Sequence, residues 1–327
     1  MEANEPGKEP ILILGDGKLV YSVVVCLLQA GHPVRLFTKN MDDALKNVNL
    51  HFADLAKNAS QGNEYHTLEI TDVLEGRLDY KLAIAIIDEN LLKKKAMIHQ
   101  LEEMLPLDST IAINTESIPL SILLEGSNHP GRIIGLNWVD PAHTTYFLEL
   151  VTNSNSDEIL VDRLFSLAKK CWNKDPYVIY NDLSIRAKLF AAMIREAFYL
   201  VENGYASIED IDRSCRNDAG YYLPFAGNFR FIDLMGTYAY GMVMKDLNPE
   251  LSKECKVPEF FKNIIEQGDL GMENNKGFYK YENGEAEKWE ELFKKFSYQI
   301  QDIITKYPFN YKSDGFSPNQ IKSEMYE

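Results

Sequence analysis

The sequence predicts an α/β fold, a doubly wound and mostly parallel sheet followed by an all-α C-terminal domain. Three observations carry this reading. Short apolar runs alternate with helical stretches through the first half of the chain, the grammar of βα units that build a parallel sheet. From Asp182 onward convincing strand alternation stops and helical periodicity takes over. The chain of 327 residues is 45% hydrophobic and 25% charged, long enough for about two domains and apolar enough for packed cores.

Residues 11–14 form a short apolar run that ends at Gly15 and reads as a strand buried on both faces. Residues 18–30 read as a helix, apolar nearly all round and therefore covered. Gly31 stands where a left-handed cap belongs and Pro33 prevents continuation. Further strands are expected at 34–38 and 82–87, then a charged helix over 90–104. Strands at 110–114, 133–139 and 147–151, a helix over 157–170 and a strand at 177–180 complete the first half. Residues 183–202 read as a long helix, Ser207-Ile-Glu-Asp210 as an approximate capping box, and 257–267 as another helix. The segment Gly277-Phe-Tyr-Lys-Tyr281 ends the second domain. The expected domains are therefore 1–182, 183–282 and an extension over 283–327. In the extension Trp289, Leu292, Phe293, Phe296, Ile300, Ile303 and Ile304 recur at spacings of three and four. They make one apolar face that packs on the helical domain or binds a partner. The residues after it, rich in Ser, Pro, Asn and Lys, have the composition of a poorly ordered terminus.

The formal charge of −15 argues against a nucleic-acid partner, because a phosphate backbone is repelled by such a surface. It does not exclude an anionic cofactor, since backbone N–H groups at one helix end hold a phosphate within an acidic protein. Cys26, Cys171, Cys215 and Cys255 lie far apart with no C-x-x-C pair, which fits neither a disulfide framework nor a zinc site. Apart from His143, the histidines at 32, 51, 66, 99 and 129 show no metal-ligand spacing. The first ten residues are polar with three glutamates, unlike a secretory signal, and the apolar stretch 19–28 is too short to span a bilayer. The expectation is a cytoplasmic protein with no metal and no membrane partner.

Gly15-Asp-Gly17-Lys-Leu19-Val20 follows a strand and opens a helix, giving G-x-G-x-x-V where a dinucleotide fingerprint has G-x-G-x-x-G/A. Gly15 makes the tight turn and Gly17 lets the backbone approach a pyrophosphate. Val20 is bulky, so it either pushes the helix outward or demands a compensating small residue. The other reading is a tight βα turn that binds nothing. An NAD site carries an acid at the end of its second strand, and this chain has Thr38-Lys39-Asn40 there. Lys39 either pairs with the 2′-phosphate of NADP or is simply solvated.

On these residues, and on several landmarks in the same order, the sequence resembles the 3-hydroxyacyl-CoA dehydrogenase family across residues 10–282. The landmarks are the segment 85–94, Asn114-Thr115, Gly135-Leu-Asn-Trp-Val-Asp-Pro141, Leu148-Glu149-Leu-Val151, Glu196-Ala197, Asn203-Gly-Tyr-Ala-Ser207 and Lys276-Gly-Phe-Tyr279. The resemblance implies a Rossmann-type domain followed by a helical domain that often dimerises. It implies NAD or NADP as cofactor and hydride transfer at the 3-hydroxyl carbon of a small-molecule substrate such as an acyl-CoA. In the family a histidine removes the hydroxyl proton, a glutamate orients that histidine, and a serine and an asparagine hold the substrate oxygen.

Carried over position by position, the histidine falls on Asn137, the serine on Glu116 and the asparagine near Ala187, while the orienting acid survives as Glu149. An amide does not accept a proton near neutral pH. On the cofactor side Glu89, Lys94 and Asn114 match residues lining the nicotinamide half, and a late basic residue falls on Glu273. The connection from Thr38 to Glu89 is shorter than in long members whose protruding helical pair helps hold coenzyme A. Two readings stay open. One is an active oxidoreductase with Glu149 or His143 as an unorthodox base. The other is a catalytically silent relative that binds a nucleotide or a partner and forms a homodimer.

Overall fold

The protein is described from a computed structural model covering residues 9–58, 67–307 and 309. The first unit runs to Ala187 and the second from Lys188. The first is built on eight strands: β1 (Ile11–Gly15), β2 (Val34–Phe37), β3 (Leu68–Thr71), β4 (Leu82–Ile86), β5 (Thr110–Ile113), β6 (Ile133–Asn137), β7 (Phe147–Val151) and β8 (Asp175–Ile179). They lie in the order β3-β2-β1-β4-β5-β6-β7-β8. Every pairing is parallel except β6 with β7. The chain starts at β1, winds outward to β3, then returns to β4 on the other side of β1. That reversal opens a crevice beyond the carboxyl ends of β1 and β4, where a doubly wound sheet takes its ligand.

The central strands bury every residue, as their continuous apolar sequences ILIL and LAIAI require. One face carries Leu12, Leu14, Ala83, Ala85, Ile111 and Ile113, packed with Ile98 and Leu101 of α3 (Leu91–Met104) and Leu120 and Leu123 of α4 (Leu120–Leu124). The helix α1 (Lys18–Gln29) buries an unbroken run from Val20 to Leu28. It packs beside α2 (Met41–Asn58), and α5 (Glu158–Cys171) lies against β7 and β8.

The expected fold class holds, with corrections at the margins. Between the second and third expected strands lie α2 and β3, neither foreseen. β3 is a half-exposed edge strand of four residues, and α2 is laced with Asp and Asn, so each is weak as a local signal. The strand expected at 133–139 stops at Asn137, and that at 177–180 is shifted to Asp175–Ile179.

The second unit contains most of α6 (Ile185–Glu202), then α7 (Ile208–Ser214), α8 (Gly220–Met235), α9 (Thr237–Leu247), α10 (Glu259–Glu266) and α11 (Glu285–Lys306). The capping box forms: Ser207 Oγ accepts from the Asp210 amide and the Asp210 carboxylate accepts from the Ser207 amide. A cavity of about 530 Å³ lies between α6, α7, α10 and the 269–281 segment, walled by Phe198, Phe260, Phe261 and Phe278. Elsewhere this unit covers little apolar surface. Phe229, Tyr221 and Tyr238 are 85%, 83% and 82% exposed. On α11, Trp289, Leu292, Phe293 and Phe296 remain exposed although the helix packs against α8. The expected poorly ordered terminus at 310–327 lies outside the described residues.

Candidate active site

The glycine turn sits at the crevice. Gly15 is the last residue of β1, paired with Ile86, at φ +145°. A Cβ there would stand 2.1 Å from the Ile86 carbonyl oxygen and 3.0 Å from Val20 Cγ2. Glycine is thus required twice, for its conformation and for the approach of two neighbours. Val20 is fully buried, and the small residue that its bulk demands is Gly15 itself. Gly17, at φ +96°, caps α1 with no side-chain hydrogen bond, and a Cβ there would meet no atom within 4 Å. The first-turn N–H groups and the positive end of the helix dipole therefore lie open to a diphosphate, and the residues present fit one. Leu19 is half-buried in that first turn, its carbonyl accepting from Ser22 Oγ at 2.9 Å. Thr38 is buried and Lys39 exposed at the end of β2. The Thr38 hydroxyl donates to the Asp16 carboxylate, and Asn40 Nδ2 donates to the same oxygen at 3.3 Å.

Asn114 extends the β4–β5 pairing by one step. Its side-chain oxygen accepts from the Ile87 amide at 3.0 Å and its NH₂ donates to the Ile87 carbonyl at 2.9 Å. Lys94, with a fully buried side chain, donates to Asn114 Oδ1 at 2.8 Å and to the Asn114 and Ile87 carbonyls, and it pairs with Glu89 at 3.2 Å. Burial pulls the Lys94 pKa down, opposed by the Glu89 charge. Glu89 in turn accepts from the amides of Glu116, Ser117 and Ile118 at 2.8–3.1 Å. These three residues thus brace the loops at the carboxyl ends of β4 and β5, the floor of the crevice.

A polar row crosses the sheet further along. Asn137 of β6 is in register with Glu149 of β7, which is in register with Tyr177 of β8. Asn137 is 1% exposed and Glu149 fully buried. The Asn137 amide donates to the Thr115 carbonyl at 2.7 Å and to Glu149 at 3.0 Å, and its oxygen accepts from the Thr115 amide at 2.8 Å. Glu149 also accepts from the Tyr177 hydroxyl at 3.1 Å and from the amides of Ile185 and Arg186 at 2.9 and 3.3 Å. Burial and the Glu149 charge push the Tyr177 hydroxyl far above its ordinary value, so it stays protonated. Glu116 pairs with Arg186 at 2.9 Å, and the Arg186 guanidinium lies 5.9 Å from the Phe147 ring centre.

The structure thus brings together Asn137, Glu149 and Glu116 with Tyr177 and Arg186, two residues that the sequence did not single out. The signal for Tyr177 was the shared register across β6, β7 and β8, which appears only once the strands are paired, and Arg186 reaches Glu116 from the first turn of α6. His143 does not join them. Its ring packs edge-on against His51 of α2 at 4.8 Å, and the neighbouring Ala142 amide donates to Ser22 Oγ of α1. The loop after β6 is held against the helix layer. Glu273 is exposed in the second unit. Among the described residues no cluster of His, Cys, Asp and Glu could hold a metal ion, and no helix is long and apolar enough to cross a membrane.

The chain matches two consecutive family models, the 3-hydroxyacyl-CoA dehydrogenase NAD binding domain over residues 10–183 and the C-terminal domain of the same family over 185–281. It is 26% identical over 284 residues to a probable 3-hydroxybutyryl-CoA dehydrogenase of Bacillus subtilis, covering 83% of this chain and 97% of the relative. It is 24% identical over 225 residues to a 5-formyl-3-hydroxy-2-methylpyridine 4-carboxylate 5-dehydrogenase of Mesorhizobium japonicum, covering 68% and 72%. A crystal structure of an enzyme of that last name, described as an NAD+ dependent dismutase, superimposes with a TM-score of 0.78 at 21% identity over 90% of this chain and 97% of that one. The (S)-3-hydroxybutyryl-CoA dehydrogenase of Ralstonia eutropha does so at 0.63, with 18% identity over 84% and 99%. With both domains matched in order on a sheet that offers a seat for NAD or NADP, the chain belongs to the 3-hydroxyacyl-CoA dehydrogenase family, as a dehydrogenase-like oxidoreductase.

Proposed function

We propose that this protein seats NAD or NADP at the Gly15–Gly17 turn and acts as a slow, base-poor dehydrogenase on a 3-hydroxyacyl thioester or a related hydroxy acid. When bound, the cofactor gives or takes the hydride. The observation that carries the reading is the state of Asn137. It holds the position of the family's histidine, yet both its amide hydrogens and its oxygen are committed to Thr115 and Glu149. No proton acceptor stands there. Glu149 is satisfied by four donors and Tyr177 keeps its proton, so neither substitutes as a base. Arg186 is permanently charged and half-buried beside Glu116. It suits a developing oxyanion or a substrate carboxylate but cannot take up a proton, so in this reading the hydroxyl proton is exchanged with solvent water, which is what makes the step slow. Loss of a general base costs about 10²–10⁴ in rate.

The test is NADH-dependent reduction of acetoacetyl-CoA by the wild type and by Asn137→His. The expected result is weak wild-type turnover raised by about 10²-fold or more in the variant. Fast wild-type turnover with no gain on Asn137→His contradicts the proposal. A second reading, a catalytically silent relative, is favoured by the same closed row of hydrogen bonds, and it predicts no turnover in either form.

The helical unit is proposed to pair with a second copy. Phe229, Tyr221 and Tyr238 stand in water in a single chain, at odds with the usual limits on exposed apolar surface. Sedimentation of the full chain at micromolar concentration should give twice the chain mass, and a single-chain mass would refute the pairing.

A further inference from the structure

Resting on the nucleotide-binding reading above, we propose that Asp16 reads the adenine-side ribose and makes the protein select NAD over NADP. In a doubly wound sheet of this kind the diol of that ribose is gripped by a carboxylate at the carboxyl end of the second strand. β2 ends at Phe37 and is followed by Thr38-Lys39-Asn40, so the strand offers no acid. The structure places one there from another element. Asp16 lies between the two glycines of the turn, and its carboxylate accepts the Thr38 hydroxyl and Asn40 Nδ2. The Asn40 amide donates to Thr38 Oγ1 at 3.2 Å, fixing the hydroxyl from the other side.

The partners differ in burial. Thr38 is 1% exposed and rigidly set, while Asp16 is exposed, so the clamp holds a carboxylate at the strand end and leaves it facing solvent. Its neighbour in the chain, Gly17, is where the pyrophosphate would pass. A carboxylate so placed accepts hydrogen bonds from a 2′,3′-diol and repels a 2′-phosphate. Lys39 works the other way, but it is exposed, where a single cation is weakened by solvent and salt.

The experiment measures dissociation constants for NADH and for NADPH by nicotinamide fluorescence, using the full chain. The forms compared are the wild type, Asp16→Asn and the double variant Asp16→Asn with Thr38→Asp. The wild type should bind NADH at least ~10-fold more tightly than NADPH, as one or two charge-assisted hydrogen bonds would give. Asp16→Asn should lose about tenfold in NADH affinity and most of the discrimination. Returning the acid to the strand end should restore both, a rescue that a merely structural role for Asp16 would not give. Equal wild-type affinities, or an NADH constant unmoved by Asp16→Asn, overturn the assignment while leaving the nucleotide site standing. Failure of the wild type to bind either nucleotide overturns the nucleotide-binding reading itself, and the role of Asp16 with it.

Discussion

At the scale of single residues, one hydrogen on Gly15 and one amide on Asn137 decide most of what the site can do. Replacing Gly15 by Ala drives a Cβ to 2.1 Å from a backbone oxygen that cannot give way, at a φ of +145°. Strain and overpacking together should cost about 2–4 kcal/mol, read as a lowered urea midpoint with an unchanged slope. A loss under about 0.5 kcal/mol would mean that the turn is not built as described. Both glycines were legible in the sequence, because a strand followed by G-x-G and a helix leaves few other backbones. Glu149, Asn137 and Glu116 were legible too, through the family resemblance carried over position by position. Asp16, Tyr177 and Arg186 were not. Each acts across a gap that local pattern does not bridge: Asp16 to Thr38 between elements, Tyr177 to Glu149 across a strand pair, and Arg186 to Glu116 from a helix start to a loop. His143 shows the converse. The sequence offered it as a base, whereas the loop after β6 binds to α1 and carries it onto α2.

At the scale of elements, the crevice floor depends on how β4 and β5 end. Burial pushes the Glu89 carboxyl up, and the amides of Ser117, Ile118 and Glu116 with the Lys94 charge overcome that and hold it below its ordinary value of 4.5. Its stabilising contribution is therefore complete above pH 4.5 and lost as pH falls through the lower folded value. Glu89→Gln should cost about 1–3 kcal/mol at neutral pH, because three amides lose a charged acceptor and Lys94 loses its counter-charge. The gap between variant and wild type should narrow on the acid side of 4.5, measured by urea unfolding across pH. A gap that does not change with pH would contradict the ionic role. The long buried elements β1, β4 and α1 were readable because their apolar runs leave no alternative but burial. α2 and β3 were hidden because a polar helix and a four-residue edge strand gain their stability from the sheet they join, not from their own composition.

At the scale of the whole molecule, the turn proposed to seat the cofactor is open and the row at the position of the family's proton-transfer residues closes on itself. The topological reversal between β1 and β4 and the uncapped start of α1 are intact, whereas the row through Asn137, Glu149 and Tyr177 satisfies its own hydrogen bonds. The central claim is that the turn around Gly17 seats a dinucleotide diphosphate. The measurement that tests it most directly is a calorimetric titration of NADH into the wild type and into Gly17→Val. The account predicts saturable one-to-one binding by the wild type, weakened at least ~100-fold when the valine side chain occupies the space that the diphosphate needs. No heat of binding with the wild type at millimolar NADH, or equal binding by both forms, would contradict it.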